Sequence, residues 1–260
     1  QNMNFIDTHT HLDGEEFAAD LHEVVDRARE AGVSKVFVPA IDLKSVDTVV
    51  ETCNRFPGYA YPMIGLHPEE VKADWSSVLD EMYKRLKPGH PFIAVGEVGI
   101  DYYWSREFEK EQLRAFERQV EWSIETRLPL MIHCRKGQNE MVSMLRRYAD
   151  ELPGGVFHCF TGNEHEAEEL LQFERFVLGI GGVLTFRKSH LPEVLPSVVP
   201  LNRIVLETDS PYMAPVPMRG KRNGSAYVAY VLQKLAVCYG VDPQCVADTT
   251  NATVKRIFGI

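Results

Sequence analysis

Asn4-Phe5-Ile6-Asp7-Thr8-His9-Thr10-His11 begins as a short apolar run and passes directly into two imidazoles. On an extended chain, residues two apart project to the same side, so His9 and His11 can share one ion. An H-x-H pair alone is a modest metal signal, because a buried histidine more often serves as a hydrogen-bonded core residue. The pair gains weight from the polar residues that end later apolar runs.

Runs rich in β-branched and apolar residues recur at 4–8, 35–40, 60–66, 92–97, 128–133, 155–158, 176–181 and 203–208, each followed by a segment with helical spacing. Phe17, Leu21, Val24, Val25 and Ala28 keep one helical face apolar, and Gly32 supplies a stop. Asp242-Pro243 reads as a cap followed by proline at the first helical position, and Val254, Ile257 and Phe258 supply a closing helix that Gly259 ends. Strands alternating with crossover helices predict an α/β fold around a parallel sheet. An open doubly wound sheet uses the same alternation, so the placement of polar residues must choose between architectures. Glu97 ends the fourth run, His133 the fifth and His158 the sixth, while Asp209 follows the eighth. In a closed parallel barrel every strand C-terminus opens on one face, which gathers His9, His11, Glu97, His133, His158 and Asp209 together. The expected architecture is a TIM-type (β/α)8 barrel with its metal site at the C-terminal ends of the strands.

At 260 residues the chain has the usual size of one such barrel, about 250 residues, so 1–260 reads as a single domain. Lys and Arg number 28 against 37 Asp and Glu, so the mean field repels anions and an acidic substrate must meet local positive charge. The first residues lack a basic and apolar leader pattern, and no apolar run reaches membrane-spanning length, which predicts a cytoplasmic protein without membrane contact. Gln1 and Asn2, ahead of Met3, read as an added remnant outside the fold. Five cysteines, an odd number with no C-x-x-C pair, predict reduced thiols. Cys134 and Cys159 adjoin expected ligands, but strand alternation sends them to the opposite side and into core packing. Asn251-Ala252-Thr253 matches a glycosylation sequon, yet without a secretory signal it reads as a helix start.

A dry cluster of imidazoles and carboxylates is costly without a cation, and these are the ligand types that bind Zn²⁺, Mn²⁺ or similar divalent ions. Glu97 can bridge two ions by itself, so two per chain is the expected load. An ion held there lowers the pKa of a bound water towards neutrality and so supplies a nucleophile for phosphorus or carbonyl carbon. Glu97 and Asp209 are therefore the expected catalytic residues, with Asp209 binding and orienting the water. His67 ends the third run before Pro68 and either touches a substrate phosphate or caps the turn. Arg135 is either a bidentate phosphate contact or a solvated surface residue. Arg219-Gly220-Lys221-Arg222-Asn223 follows Asp209 and either binds a nucleic-acid backbone or forms a solvated loop.

These residues resemble the TatD family of metal-dependent deoxyribonucleases, within the amidohydrolase-like barrels, almost from end to end. The matching segments are F-I-D-T-H-T-H-L-D from Phe5, G-L-H-P from Gly65, G-E-V-G-I-D-Y from Gly96, P-L-M-I-H-C-R from Pro129, F-H-C-F-T-G from Phe157 and L-E-T-D-S-P-Y from Leu206. Each is weak alone, and the ordered set is specific. The resemblance implies that His9, His11, Glu97 and Asp209 hold one ion while Glu97, His133 and His158 hold the other. It also implies a DNase supported by Mg²⁺ or Mn²⁺, with Zn²⁺ as a further occupant, acting as a 3′-5′ exonuclease on single-stranded DNA. Arg222-Asn223-Gly224-Ser225 departs from the Arg-Asn-Glu-Pro of many relatives and removes a carboxylate and a rigid proline. The departure bears on substrate contacts, since the six expected ligands lie elsewhere. Hydrolysis of an amide, lactone or ester, including aminoacyl-tRNA, would use the same site, and a non-catalytic metal-binding scaffold is a further reading. No feature marks an obligate protein partner.

Overall fold

The computed structural model describes residues 3–260; Gln1 and Asn2 lie outside the described residues. Strands and helices alternate in the order β1 (Phe5–Asp7), α1 (Leu21–Ala31), β2 (Val33–Pro39), α2 (Leu43–Asn54), β3 (Ala60–Met63), α3 (Trp75–Tyr83), β4 (Val95–Asp101) and α4 (Glu109–Thr126). The second half continues with β5 (Leu130–Arg135), α5 (Gln138–Arg146), β6 (Gly155–Phe157), α6 (Glu164–Leu171), β7 (Phe176–Ile180), α7 (Leu191–Val198), β8 (Ile204–Leu206), α8 (Val228–Tyr239) and α9 (Pro243–Phe258).

Parallel pairing links β1-β2-β3 in one set and β4-β5-β6-β7-β8 in another. Two parallel bridges, Ile64 to Val95 and Thr10 to Ser210, join the sets at both seams. Main-chain bonds reinforce them: Gly96 N donates to Ile64 O at 2.9 Å, and Thr8 N donates to Leu206 O at 3.0 Å. The result is the expected (β/α)8 barrel.

Its interior shows the closure directly. Ile6, Phe37, Met63, Ala94, Met131, Val156, Val177 and Val205 come from the eight successive strand positions, pack as one cluster, and are none more than 5 % exposed. Such a layer forms only if the strands face a common axis. Val254 of α9 joins it, and Phe258 lies against Phe37 with ring centroids 4.9 Å apart, so the last helix seals the interior. Deleting the Phe37 ring would cost about 3–5 kcal/mol through lost burial and the cavity left behind.

The outer faces of the strands pack on the helices. Leu21, Val24, Val25 and Ala28 of α1 are buried, as their spacing requires, and Gly32 ends the helix at φ 109°, a left-handed conformation that favours glycine. Pro243 occupies the start of α9, and Gly259 caps its end. Asn251 lies inside that helix, not at its start, because the apolar face runs unbroken through Val246, Ala247, Thr250 and Val254.

One strand boundary differs in a way that matters for the site. Glu97 does not end β4, which continues to Asp101 and pairs with β5 as far as Arg135. Gly99 permits this, since a Cβ there would run into the carbonyl of His133. Among the described residues, no helix is long and apolar enough to cross a membrane.

Candidate metal centre

Along β5, and just past the end of β6, alternation puts His133 and His158 on the inward face, two residues after Met131 and Val156 of the interior layer. His67 comes from the segment after β3, its N–H donating to Ile41 O at 2.8 Å. The chain leaves regular pairing after Asp7 on β1, and His9 and His11 enter the same cluster from the β1–α1 segment. Asp209 follows β8 with a positive φ of 56°, a conformation aspartate tolerates better than most residues. Its N–H donates to His9 O at 2.8 Å, which locks the two ends of the barrel seam together.

Glu97 stands at the centre, 2 % exposed. Its Oε1 lies 3.1 Å from His9 Nε2 and 3.6 Å from His11 Nε2. Its Oε2 lies 3.1 Å from His133 Nδ1, 3.3 Å from His67 Nε2 and 3.6 Å from His158 Nε2. Asp209 Oδ1 is 3.1 Å from His11 Nε2 and 3.5 Å from His9 Nε2. All six expected ligands meet, and His67 meets them. Three overlapping groups, His9-His11-Asp209, His9-Glu97-His158 and His67-Glu97-His133, each place their ligand atoms within 4.8 Å of one another.

The electrostatics suit cations. Burial opposes charge on every member, but His67, His9 and His133 outweigh it at Glu97 and hold its carboxyl well below the usual range. Burial likewise opposes charge on Asp209, and His158 and His11 still draw it below its ordinary value. His133 and His158 are desolvated too, yet neighbouring carboxylates push them up to about 9 and about 10. His9 goes the other way, lowered by burial and by His158, whose ring stacks on it at 3.5 Å. Protons and divalent ions compete for these lone pairs, and the donor set fits divalent metal.

Several carboxylates that sequence reasoning did not single out support the cluster. Asp101 Oδ2 is 2.8 Å from His133 Nε2, and Glu207 Oε2 is 2.8 Å from His158 Nδ1 as a close ion pair, not an aligned hydrogen bond. Glu207 also accepts from Cys159 N at 3.1 Å, and Gly179 leaves it room, since a Cβ there would collide with its carboxylate. Such outer partners fix ring orientation. Both residues lie within the quoted motifs, at the C-terminal ends of β4 and β8, so the logic applied to Glu97 could have found them. Asp7 is buried and accepts from His9 N, Thr208 and Ser225, whose Oγ donates at 2.7 Å. Burial pushes its carboxyl up to about 7 against the pull of those donors. The Gly224-Ser225 departure therefore delivers a hydroxyl to Asp7.

His67 caps a turn, one of its two expected roles, and also faces the cluster. Its Nδ1 accepts from Glu69 N at 3.0 Å and caps the following turn, so the neutral ring carries its proton on Nε2, facing Glu97. Arg135 lines the cleft above the cluster and lies flat on Tyr103, 3.6 Å from its centroid. Arg222 is committed elsewhere, to Asp20 and the Glu16 carbonyl, while Arg219 lies over Phe186. Neither these arginines nor Lys221 lines the cleft, which has a volume of about 620 Å³. Cys134 packs on the core; Cys159 is half-buried beside Glu207, and both line a neighbouring cavity. All five cysteines are free.

Comparison with known proteins agrees with this geometry. The model of the TatD-related DNase family matches residues 6–259. An uncharacterised metal-dependent hydrolase, YabD of Bacillus subtilis, is 33 % identical over 98 % of each chain. The 3′-5′ ssDNA/RNA exonuclease TatD of Citrobacter koseri is 32 % identical, again over 98 % of each chain. The crystal structure of YJJV, a TatD homologue from Escherichia coli, superposes over 100 % of both chains with a TM-score of 0.89 and 28 % identity. The chain belongs to the TatD-related DNase family and is a metal-dependent hydrolase.

Proposed function

We propose that this hydrolase cleaves phosphodiester bonds of single-stranded DNA from the 3′ end, using two divalent ions, Mg²⁺ or Mn²⁺. The observation that carries the reading is Glu97: each of its oxygens lies 3.1 Å from a different imidazole, so one carboxylate serves two ligand groups. His9, His11, Glu97 and Asp209 would hold one ion, and Glu97, His133 and His158 the other. Bound there, the ions supply Lewis acidity at the scissile phosphate and a water of lowered pKa.

The chain's own residues do the rest. Asp209, whose side chain is 17 % exposed, orients the attacking water and accepts its proton. His67 presents Nε2–H to a phosphate oxygen. Arg135, which lines the cleft and lies over the Tyr103 ring, offers its fork to the next phosphate. Relatives named 3′-5′ ssDNA/RNA exonucleases support both the polarity and the single-stranded substrate, and extend the candidates to RNA.

The test is incubation of purified protein with 5′-labelled single-stranded DNA and RNA, with chelator and with metal added back. A metal-dependent ladder shortened from the 3′ end is expected. No shortening under any metal, alongside turnover of a lactone or charged tRNA, would overturn the reading.

A further inference from the structure

Trp104 is 69 % exposed and Tyr212 54 %, although both are large aromatics in a chain with ample core. Exposed aromatic surface of this size calls for an explanation. Neither lies at random: both line the cleft that holds Glu97, His133 and Asp209. Trp104 comes from the segment after β4 and Tyr212 from the segment after β8. In a closed eight-stranded barrel these strands are diametrically opposed, so the two residues reach the cleft from opposite sides of the barrel mouth.

Both rings are held in place. Tyr103 meets Trp104 edge-on at 4.8 Å, and the Arg135 guanidinium lies 5.5 Å from the Trp104 centroid. Tyr212 stands edge-on to His11 at 6.0 Å, and its carbonyl accepts from the Asn223 amide at 2.8 Å. Asn223 is itself 1 % exposed and also donates to Thr208 O, which fixes the segment carrying Tyr212.

Charge around the cleft is uneven. Asp13 and Glu16 after β1, with Glu69 and Glu70 after β3, line one arc. Arg135 is the basic residue lining the cleft, and it also lines the adjoining cavity, where Lys136 joins it. A polyanion can leave the cleft over the β5 side and meets like charge on the β1–β3 side. A chain that must stop at that acidic wall presents an end, not an interior.

We propose that Trp104 and Tyr212 form a clamp that stacks the unpaired base of a terminal nucleotide over the metal cluster, with the strand leaving past Arg135. This rests on the nuclease reading and adds to it a base-binding subsite and a cause for end selection. Stacking on an aromatic ring takes any base and demands that it be unpaired.

Steady-state kinetics on a single-stranded oligonucleotide, and on the same strand with an abasic 3′-terminal nucleotide, test the clamp. In the parent, the abasic end should raise KM about ten- to a hundredfold. Trp104→Ala should raise KM for the intact strand by a similar factor with kcat within about threefold, and Trp104→Phe should restore most of it. In Trp104→Ala the abasic end should raise KM by a smaller factor than in the parent, since only the Tyr212 contact is left to lose, an interaction a merely structural role for the ring would not produce. Metal stoichiometry of each variant should match the parent. Equal KM for both ends in the parent, or an unchanged KM in Trp104→Ala, overturns the clamp while cleavage itself leaves the nuclease reading standing. A parent inert on both strands overturns the nuclease reading and the clamp together.

Discussion

Asp101 Oδ2 lies 2.8 Å from His133 Nε2. An ionised carboxylate can only accept, so Asp101 keeps a proton on Nε2, and when Nδ1 gives up its own proton it is that nitrogen, 3.1 Å from Glu97 Oε2, whose lone pair faces the cluster. Asp101 therefore orients His133 for the ligand role proposed for it. Asp101→Asn can present an amide N–H in place of the acceptor and so favours the wrong tautomer. Metal affinity should fall about ten- to a hundredfold, with kcat at saturating metal within a few-fold of the parent. Calorimetric metal titration checks this; unchanged affinity would show that Asp101 does not set the ring.

His67 shows the opposite polarity. Its lone pair is spent on Glu69 N and its proton faces the site, so it should donate to substrate and not ligate. Asparagine can still cap the turn but cannot reach Glu97. His67→Asn should keep full metal stoichiometry while kcat/KM falls about ten- to a hundredfold, the worth of one hydrogen bond to a charged group. Loss of one bound ion would instead make His67 a ligand.

Glu97 and Asp209 carry the heaviest expectation. Glu97→Ala and Asp209→Asn should each lower kcat by about a thousandfold or more while circular dichroism stays that of the parent. Glu97→Ala should also lose bound metal, since each group built on it loses a shared oxygen. Chelation of the parent should abolish turnover, and metal added back should restore it. Because protons and metal compete for the same imidazoles, metal affinity should fall as pH falls. Full turnover in thoroughly metal-free protein would remove the basis for all of this.

The limits of the sequence lie in identifiable residues. Period-two alternation carries Met131 to His133 and Val156 to His158, so the place of those imidazoles in the cluster was legible. It fails at β1, where Ile6 faces the barrel axis and His9, an odd number of residues on, reaches the site because regular pairing stops at Asp7. Ala94 and Glu97 repeat that odd spacing, and the position of Glu97 within β4 depends on the close approach that Gly99 allows. Nothing in the sequence separates Trp104 from a core aromatic, and only the folded chain leaves it in solvent. Arg222 looked like an available cation because its partner, Asp20, lies 202 residues away.

That last pairing separates basic residues that all follow strand ends: Arg219, Lys221 and Arg222 after β8, and Arg135 at the end of β5. In the fold, Arg222 is clamped by Asp20 and the Glu16 carbonyl, and its guanidinium sits 5.0 Å above the Phe17 ring. Arg222 draws Asp20's carboxyl down to about 2, so at neutral pH Asp20 is charged and faces Arg222. Arg135 lies in the cleft with its flat face on Tyr103 and its donors unpaired among the described residues. Each neutralised phosphate of a single strand contributes about 0.7 to the slope of log affinity against log salt. Arg135→Ala should therefore reduce that slope by about 0.7 and raise KM more than it lowers kcat. Arg222→Ala should leave the slope unchanged and loosen the contact between its segment and α1's approach, seen as faster amide exchange there. Measurement of single-stranded DNA binding across salt for both variants decides the matter. An unchanged slope in Arg135→Ala, or a drop of about 0.7 in Arg222→Ala, would return the phosphate contact to the loop after β8 and take it away from the cleft.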